Sequence, residues 1–181
     1  MAVIDEIFAL YRQHGSEAYF GERVSMTEHG LQAAHFAREA GAPPALIVAA
    51  LLHDVGHLVE EVARDIADWK TDAAHERVGG EWLARRFPPE VSEPVRLHVP
   101  AKRYLLATDA GYMAMLSPAS VITLNLQGGP MSAGETLRFE AEPFHRDAVL
   151  VRRCDDKGKL EGLRTPRLED FAPMIEELAL S

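Results

Sequence analysis

Basic runs, cysteine pairs and long apolar stretches are all missing from this sequence. No run of Lys and Arg exceeds two residues, and the net charge is −9. Nucleic-acid binding leaves a basic footprint, so that class of partner is set aside. The only cysteine, Cys154, cannot close an internal disulfide. That suits a reducing compartment and makes the cytoplasm the expected location. The longest apolar run, Ala45 to Leu52, is far short of the roughly 20 residues that span a bilayer, and His53 and Asp54 end it. No membrane partner is expected. The opening MAVIDEIF carries no basic stretch, which argues against a signal peptide. Repeats, low-complexity tracts and alternating strand patterns are absent too.

What remains is a chain of 181 residues, 47% apolar and 26% charged, which predicts a single globular domain over 1–181 with one core. Its periodicity is helical, so the expected class is all-α. Ile4, Ile7, Phe8 and Tyr11 mark a helix over 2–13, and a loop follows at 15–24. Ser25, with Glu28 three residues on, caps a helix that runs to about Gly41. Pro43-Pro44 open a helix that is apolar nearly all round and therefore buried. Residues 59–72, with Trp69, read as a polar loop or lid. Further helices are expected at 73–86, 90–98, 100–106, 110–115, 117–126, 143–154 and 168–178. Gly128-Gly129-Pro130 make a break, and 155–166 reads as a loop.

The chemistry lies where polar residues interrupt apolar stripes. In ALLHDVGHLV, a continued helix would set His53 and His57 at i and i+4, and Asp54 and His57 at i and i+3, on a shared face. Unpaired burial costs about 1–3 kcal/mol for each neutral group and more for a charged aspartate. A metal ion removes that cost. His29 lies on the stripe Met26–Ala33–Phe36, His75 on the stripe Val78–Gly79–Trp82, and Asp155 continues Phe144–Ala148–Val151. His98 ends another helix, with Lys102 four residues later. The candidate ligand set is therefore His29, His53, Asp54, His75, His98 and Asp155. Imidazoles with carboxylates suit iron, manganese, cobalt or zinc better than calcium or magnesium. Six ligands exceed what one metal with an open position needs, so two metals sharing Asp54 are expected. His14, His35 and His145 are not required, and Cys154 is expected to serve packing.

The order His29…His53-Asp54…His75…His98…Asp155 resembles the HD superfamily in its dinuclear form. The carrying segments are YFGERVSMTEHGLQAA, ALLHDVGH, AHERVGGEWL, HVPAKRYL, SPASVITLNLQGGPMS and RRCDDKGK, which span residues 19–159. Tyr19-x-x-Glu22 and LQGGPMS favour one branch: di-iron oxygenases that cleave the carbon–phosphorus bond of 1-hydroxyphosphonates, related to myo-inositol oxygenase. The resemblance implies two iron ions (Fe2+/Fe3+). His29, His53, Asp54 and Asp155 would hold one, and Asp54, His75 and His98 the other. It also implies that His57 lies beside the substrate and that Lys102, Ser120, Thr123 and Arg152 receive the phosphonate. Tyr19 and Glu22 would form a cover that recognises the amino end. Asp155 and Asp156 both remain open as the last ligand, with Asp155 favoured by its stripe.

The activity so implied is dioxygen-dependent conversion of (R)-2-amino-1-hydroxyethylphosphonate to glycine and phosphate in phosphonate catabolism. Its partners would be the small hydroxyphosphonate and O2, with an upstream hydroxylase supplying the substrate. A trimethylammonium substrate giving glycine betaine is the near alternative. A metal-dependent phosphohydrolase, in which the same metals activate water, and a non-catalytic metal-binding regulator are the more distant ones.

Overall fold

In the computed structural model, which describes residues 2–19, 22–63 and 75–180, the chain is all-α, as its periodicity predicts. The only extended pairing among the described residues is an isolated bridge between Ala18 and Ser25. Helix α1 (Val3–His14) buries Ile7 and Tyr11. Helix α2 (Met26–Glu39) starts on the predicted capping box. The Glu28 amide donates to Ser25 Oγ at 3.2 Å, and the Ser25 amide donates to the Glu28 carboxylate at 2.7 Å. Helix α3 (Pro44–Leu51) is buried from Leu46 to Leu51, as an all-round apolar helix must be. No helix among the described residues is long and apolar enough to cross a membrane.

The helix does not continue through His53 and Asp54. It stops at Leu51, a tight turn spans 52–54, and α4 (Val55–Ala63) begins anew. Adjacent residues on one helix point about 100° apart; the turn lets His53 and Asp54 converge on one spot. Helix α4 also occupies 59–63, where a loop was expected. The rest of that expected lid, including Trp69, lies outside the described residues.

Helix α5 (His75–Ala84) is followed by α6 (Pro89–Thr108), one helix where two were expected. Pro94 and Pro100 lie inside it. An interior proline costs about 3 kcal/mol. Burial of Val91, Val95, Leu97, His98, Ala101, Lys102 and Leu105 along this helix outweighs that. A 3-10 turn (Tyr112–Met115) is all that forms in 110–115. Helix α7 (Pro118–Leu126) is as expected, and the break after it holds Gly128 and Gly129 at positive φ. Helix α8 (Ala133–Glu140) was not foreseen. Helix α9 (His145–Lys157) runs three residues beyond its expected end. The last expected helix divides into a 3-10 turn (Leu168–Phe171) and α10 (Ala172–Leu178).

Two glycines set the spacing of the layers. A Cβ at Gly30 would lie 2.7 Å from the Leu51 carbonyl oxygen, so α2 can press its His29 turn against the end of α3. A Cβ at Gly56 would lie 2.0 Å from the His75 carbonyl oxygen, so α4 and α5 meet backbone to backbone. Both approaches bring a histidine to the 52–54 turn.

Candidate metal centre

Asp54 sits between two pairs of histidines. Its Oδ2 is 3.5 Å from His29 Nε2 and 3.3 Å from His53 Nε2. Its Oδ1 is 3.3 Å from His75 Nε2 and 3.6 Å from His98 Nε2. All five residues are buried. Two groups could therefore each hold an ion: His29, His53 and Asp54, and Asp54, His75 and His98. Asp54 belongs to both, one oxygen to each.

The tautomers are fixed from behind. His29 Nδ1 donates to the Gly158 carbonyl at 2.8 Å, His53 Nδ1 to Ala50 at 2.8 Å, and His98 Nδ1 to Val95 at 2.7 Å. A neutral imidazole that donates from Nδ1 carries a lone pair on Nε2. Yet His29 Nε2 and His53 Nε2 lie 3.0 Å apart, and His75 Nε2 and His98 Nε2 lie 3.3 Å apart. Asp54 Oδ2 and Asp155 Oδ1 are buried with no hydrogen-bond partner among the described residues. The facing lone pairs of His29 and His53, beside orphaned carboxylate oxygens, are repulsive unless a cation lies among them. The donor set, nitrogen and oxygen without thiolate, fits iron.

Without a metal, a proton takes part of that role. Burial opposes a charge on His29, but the facing carboxylates of Asp155 and Asp54 outweigh it and raise its pKa to about 9. Burial would raise the Asp54 pKa, but His53, His29 and His75 around it hold it well below the usual carboxylate range. His98 is lowered, chiefly by burial.

Of the two adjacent aspartates, Asp155 faces the centre. Its Oδ1 is 3.3 Å from His29 Nε2 and 3.9 Å from His53 Nε2. Asp156 points away, to Tyr112 and Arg152. Arg152, expected on the phosphonate, has its guanidinium on Asp155, Asp156 and Tyr112.

Lys102 reaches the inner face of α7. It is 1% exposed and donates to Thr123 Oγ1 at 2.9 Å and Gln127 Oε1 at 3.0 Å. Burial, then the positive charge of Arg152, lower its pKa to about 8. Ser120, one turn before Thr123, accepts from Lys159 Nζ at 3.2 Å. Lys159 is also 3.4 Å from Asp155 Oδ1. Ser120, Thr123 and Gln127 thus present hydroxyls and an amide to two ammonium groups.

Tyr19 covers the centre. Its ring stacks on His29 with centroids 3.8 Å apart. Burial, Asp54 and Asp155 raise its hydroxyl well above the usual range. The Glu22 amide donates to the Tyr19 carbonyl at 2.7 Å, and the Tyr19 amide to Val24 at 2.9 Å, so the segment closes on itself. Glu22 Oε1 is buried with no hydrogen-bond partner among the described residues. His57 lies on α4 and stacks on His75 with centroids 3.9 Å apart. Cys154 packs in the main apolar core.

Three side chains at the site were not proposed from the sequence as site residues, although the position of Lys159 favours Asp155 over Asp156. Lys159 is at i+4 from Asp155, a spacing that puts it on the same face. Gln127 is at i+4 from Thr123 and opens the GGP break. Tyr112 had no local signal, because it reaches Asp156 from 44 residues away.

Known proteins resemble this chain over most of its length. The HD domain profile matches residues 26–157. The chain is 42% identical over 176 residues to the [1-hydroxy-2-(trimethylamino)ethyl]phosphonate dioxygenase (glycine-betaine-forming) of Leisingera caerulea, covering 97% of this chain and 90% of that one. It is 44% identical over 174 residues to the hydroxymethylphosphonate dioxygenase of Gimesia maris, covering 96% and 86%. An uncharacterized protein of Acanthamoeba polyphaga mimivirus is 35% identical over 182 residues, covering 98% and 83%.

Proposed function

Because the chain belongs to the HD-domain family, in its branch of hydroxyphosphonate dioxygenases, we propose that it oxidises a 1-hydroxyphosphonate bearing a cationic nitrogen at C2. The reading that fits best is (R)-2-amino-1-hydroxyethylphosphonate plus O2 giving glycine plus phosphate. Atoms balance without a further reductant. The C–P bond and one C–H bond at C1 break, and dioxygen accepts the four electrons. The carrying observation is Asp54, whose two oxygens face two histidine pairs.

We assign one iron to His29, His53, Asp54 and Asp155 and the other to Asp54, His75 and His98. When bound, iron supplies the one-electron chemistry through which dioxygen reacts with an organic substrate. The chain's own residues bind, orient and shield. Lys102 and Lys159 neutralise the phosphonate dianion inside an acidic protein, and Ser120 and Thr123 donate hydroxyls to its oxygens. His57, beside His75, flanks C1. Tyr19 lies across His29 and limits access of water and dioxygen until substrate displaces it.

Glu22 decides the nitrogen. A buried carboxylate oxygen without a donor among the described residues suits an ammonium, which can hydrogen-bond to it. A trimethylammonium group cannot. The second reading, the trimethylated substrate, is favoured by the Tyr19 ring and by the Leisingera caerulea relative. The 1-hydroxyl implies a preceding hydroxylation of the parent phosphonate by a separate enzyme. The free, buried Cys154 suits a cytoplasmic setting.

The test is a substrate panel on the iron-loaded enzyme in air. It compares the 2-amino, 2-trimethylammonio and unsubstituted hydroxymethyl phosphonates by phosphate release. The amino compound should have the highest kcat/KM. If hydroxymethylphosphonate is preferred, Glu22 has no role in recognition and the substrate assignment fails.

A further inference from the structure

The adjacent Asp155 and Asp156 raise a question that the metal count leaves open. Both are buried, and a single guanidinium lies between them. An arginine offers two bidentate edges, Nη1/Nη2 and Nε/Nη2. Asp156 takes the second edge as a fork: its Oδ1 accepts from Nη2, and its Oδ2 lies 3.3 Å from Nε. Tyr112 closes this fork, since its hydroxyl donates to Asp156 Oδ2 and accepts from Nε at 3.1 Å. Nη1 is left for Asp155, and it takes only the outer oxygen, Oδ2, at 2.8 Å. The other oxygen of Asp155 stays turned to His29 and His53, with the Lys159 ammonium at 3.4 Å and no hydrogen bond among the described residues.

We infer that Asp156 and Tyr112 are positioning residues for the metal centre, which hold Arg152 on one edge so that Asp155 keeps an oxygen for the ion. The two carboxylates compete for the one guanidinium. A buried guanidinium with a free Nη1/Nη2 edge pairs with a carboxylate through both oxygens. Such a pair beside His29 would take Asp155 Oδ1 out of the centre. Asp156 prevents it by occupying Nη2 and also offsets the arginine's charge. Tyr112, 0% exposed, stiffens the clamp from the 3-10 turn at 112–115.

This rests on the assignment of Asp155 as a ligand of one of two metals, and the experiment separates the two claims. Metal-free protein is titrated anaerobically with ferrous iron against a competing chelator, for the wild type, Asp155→Ala, Asp156→Asn, Tyr112→Phe and the double variant Asp156→Asn with Arg152→Met. Wild type should bind in two steps, and Asp155→Ala should lose one of them. If it does not, the ligand assignment fails. Asp156→Asn should weaken that same step roughly 10- to 100-fold and leave the other unchanged. Tyr112→Phe, the milder change, should weaken it by about fivefold; it decides the matter if Asp156→Asn fails to fold. Removing Arg152 as well should restore the step towards wild type, because the competitor is gone. A purely structural role predicts equal loss at both steps, or no rescue in the double variant; either result overturns the inference. So does an effect of these variants confined to KM for the phosphonate.

Discussion

Replacing Lys102 with Met should raise KM for the hydroxyphosphonate while leaving the metals in place. Methionine is the informative choice because Lys102 is 1% exposed; alanine would add a cavity to the lost charge. The ammonium donates to Thr123 and Gln127 at 2.9 and 3.0 Å, and in the proposed complex it would turn to a phosphonate oxygen. A hydrogen bond to a charged group contributes about 1.5–3 kcal/mol, which corresponds to roughly 10- to 150-fold in KM. Lys159 remains on the other side and supports the lower end. The pH profile supplies the sign. Lys102 is held at about 8 by burial and by Arg152, and bound metal cations push it the same way. Below that value it is an ammonium and binds the dianion; above it, it is neutral and does not. Wild-type kcat/KM, which reports the free enzyme, should fall as pH rises through about 8 or somewhat lower. The Lys102→Met variant should lack that fall. Steady-state kinetics across pH 6–9.5, with metal content measured on each variant, reads both effects. A KM change under about threefold with both metals present would refute the reasoning. So would a fall at the same pH in the variant.

Three further outcomes follow from the same geometry. Asp54→Ala should remove most of both metals, whereas His98→Ala should spare the ion held by His29, His53 and Asp155; metal analysis after gel filtration distinguishes them. Glu22→Gln should lower kcat/KM for the amino substrate by on the order of tenfold and leave hydroxymethylphosphonate unchanged; equal losses on both would make Glu22 structural. For the metal-free protein, His29 has a pKa raised to about 9 from 6.5, so its proton stabilises the fold fully below about 6.5. That contribution is lost as pH rises through about 9. Thermal melts should show this loss in metal-free protein and not in the iron-loaded form, where the metal takes the lone pair.

The buried cluster of histidines and aspartates was legible because burial and polarity conflict visibly in a sequence. His29, His75 and Asp155 each stand on an apolar stripe, and the structure brings all three to Asp54 or its histidines. The helix ends were legible where side chains cap them, as at Ser25–Glu28. The same signal, Ser132 followed by Glu135, marks the start of α8. The division of α6 at Pro100 failed because a local rule about proline was overridden by burial along the helix. The turn at 52–54 was hidden for the opposite reason: an apolar run into HDVGH reads as continuous helix, and only convergence on the centre requires the break. The partners of Arg152 were beyond local reading. Its spacing to Asp155 and Asp156 is helical, but Tyr112 comes from another element, and no periodicity connects them.

The most direct test of the account is the stoichiometry of dioxygen. Protein stripped of metal is loaded anaerobically with two equivalents of ferrous iron and mixed with 2-amino-1-hydroxyethylphosphonate. Measured amounts of O2 are then added, and phosphate, glycine and residual O2 are quantified; a zinc-loaded sample, redox-inert, serves as control. The account predicts one phosphate and one glycine per O2 consumed with iron, and neither product with zinc or before oxygen is admitted. Phosphate release under anaerobic conditions, or with zinc, would contradict it and make the centre hydrolytic.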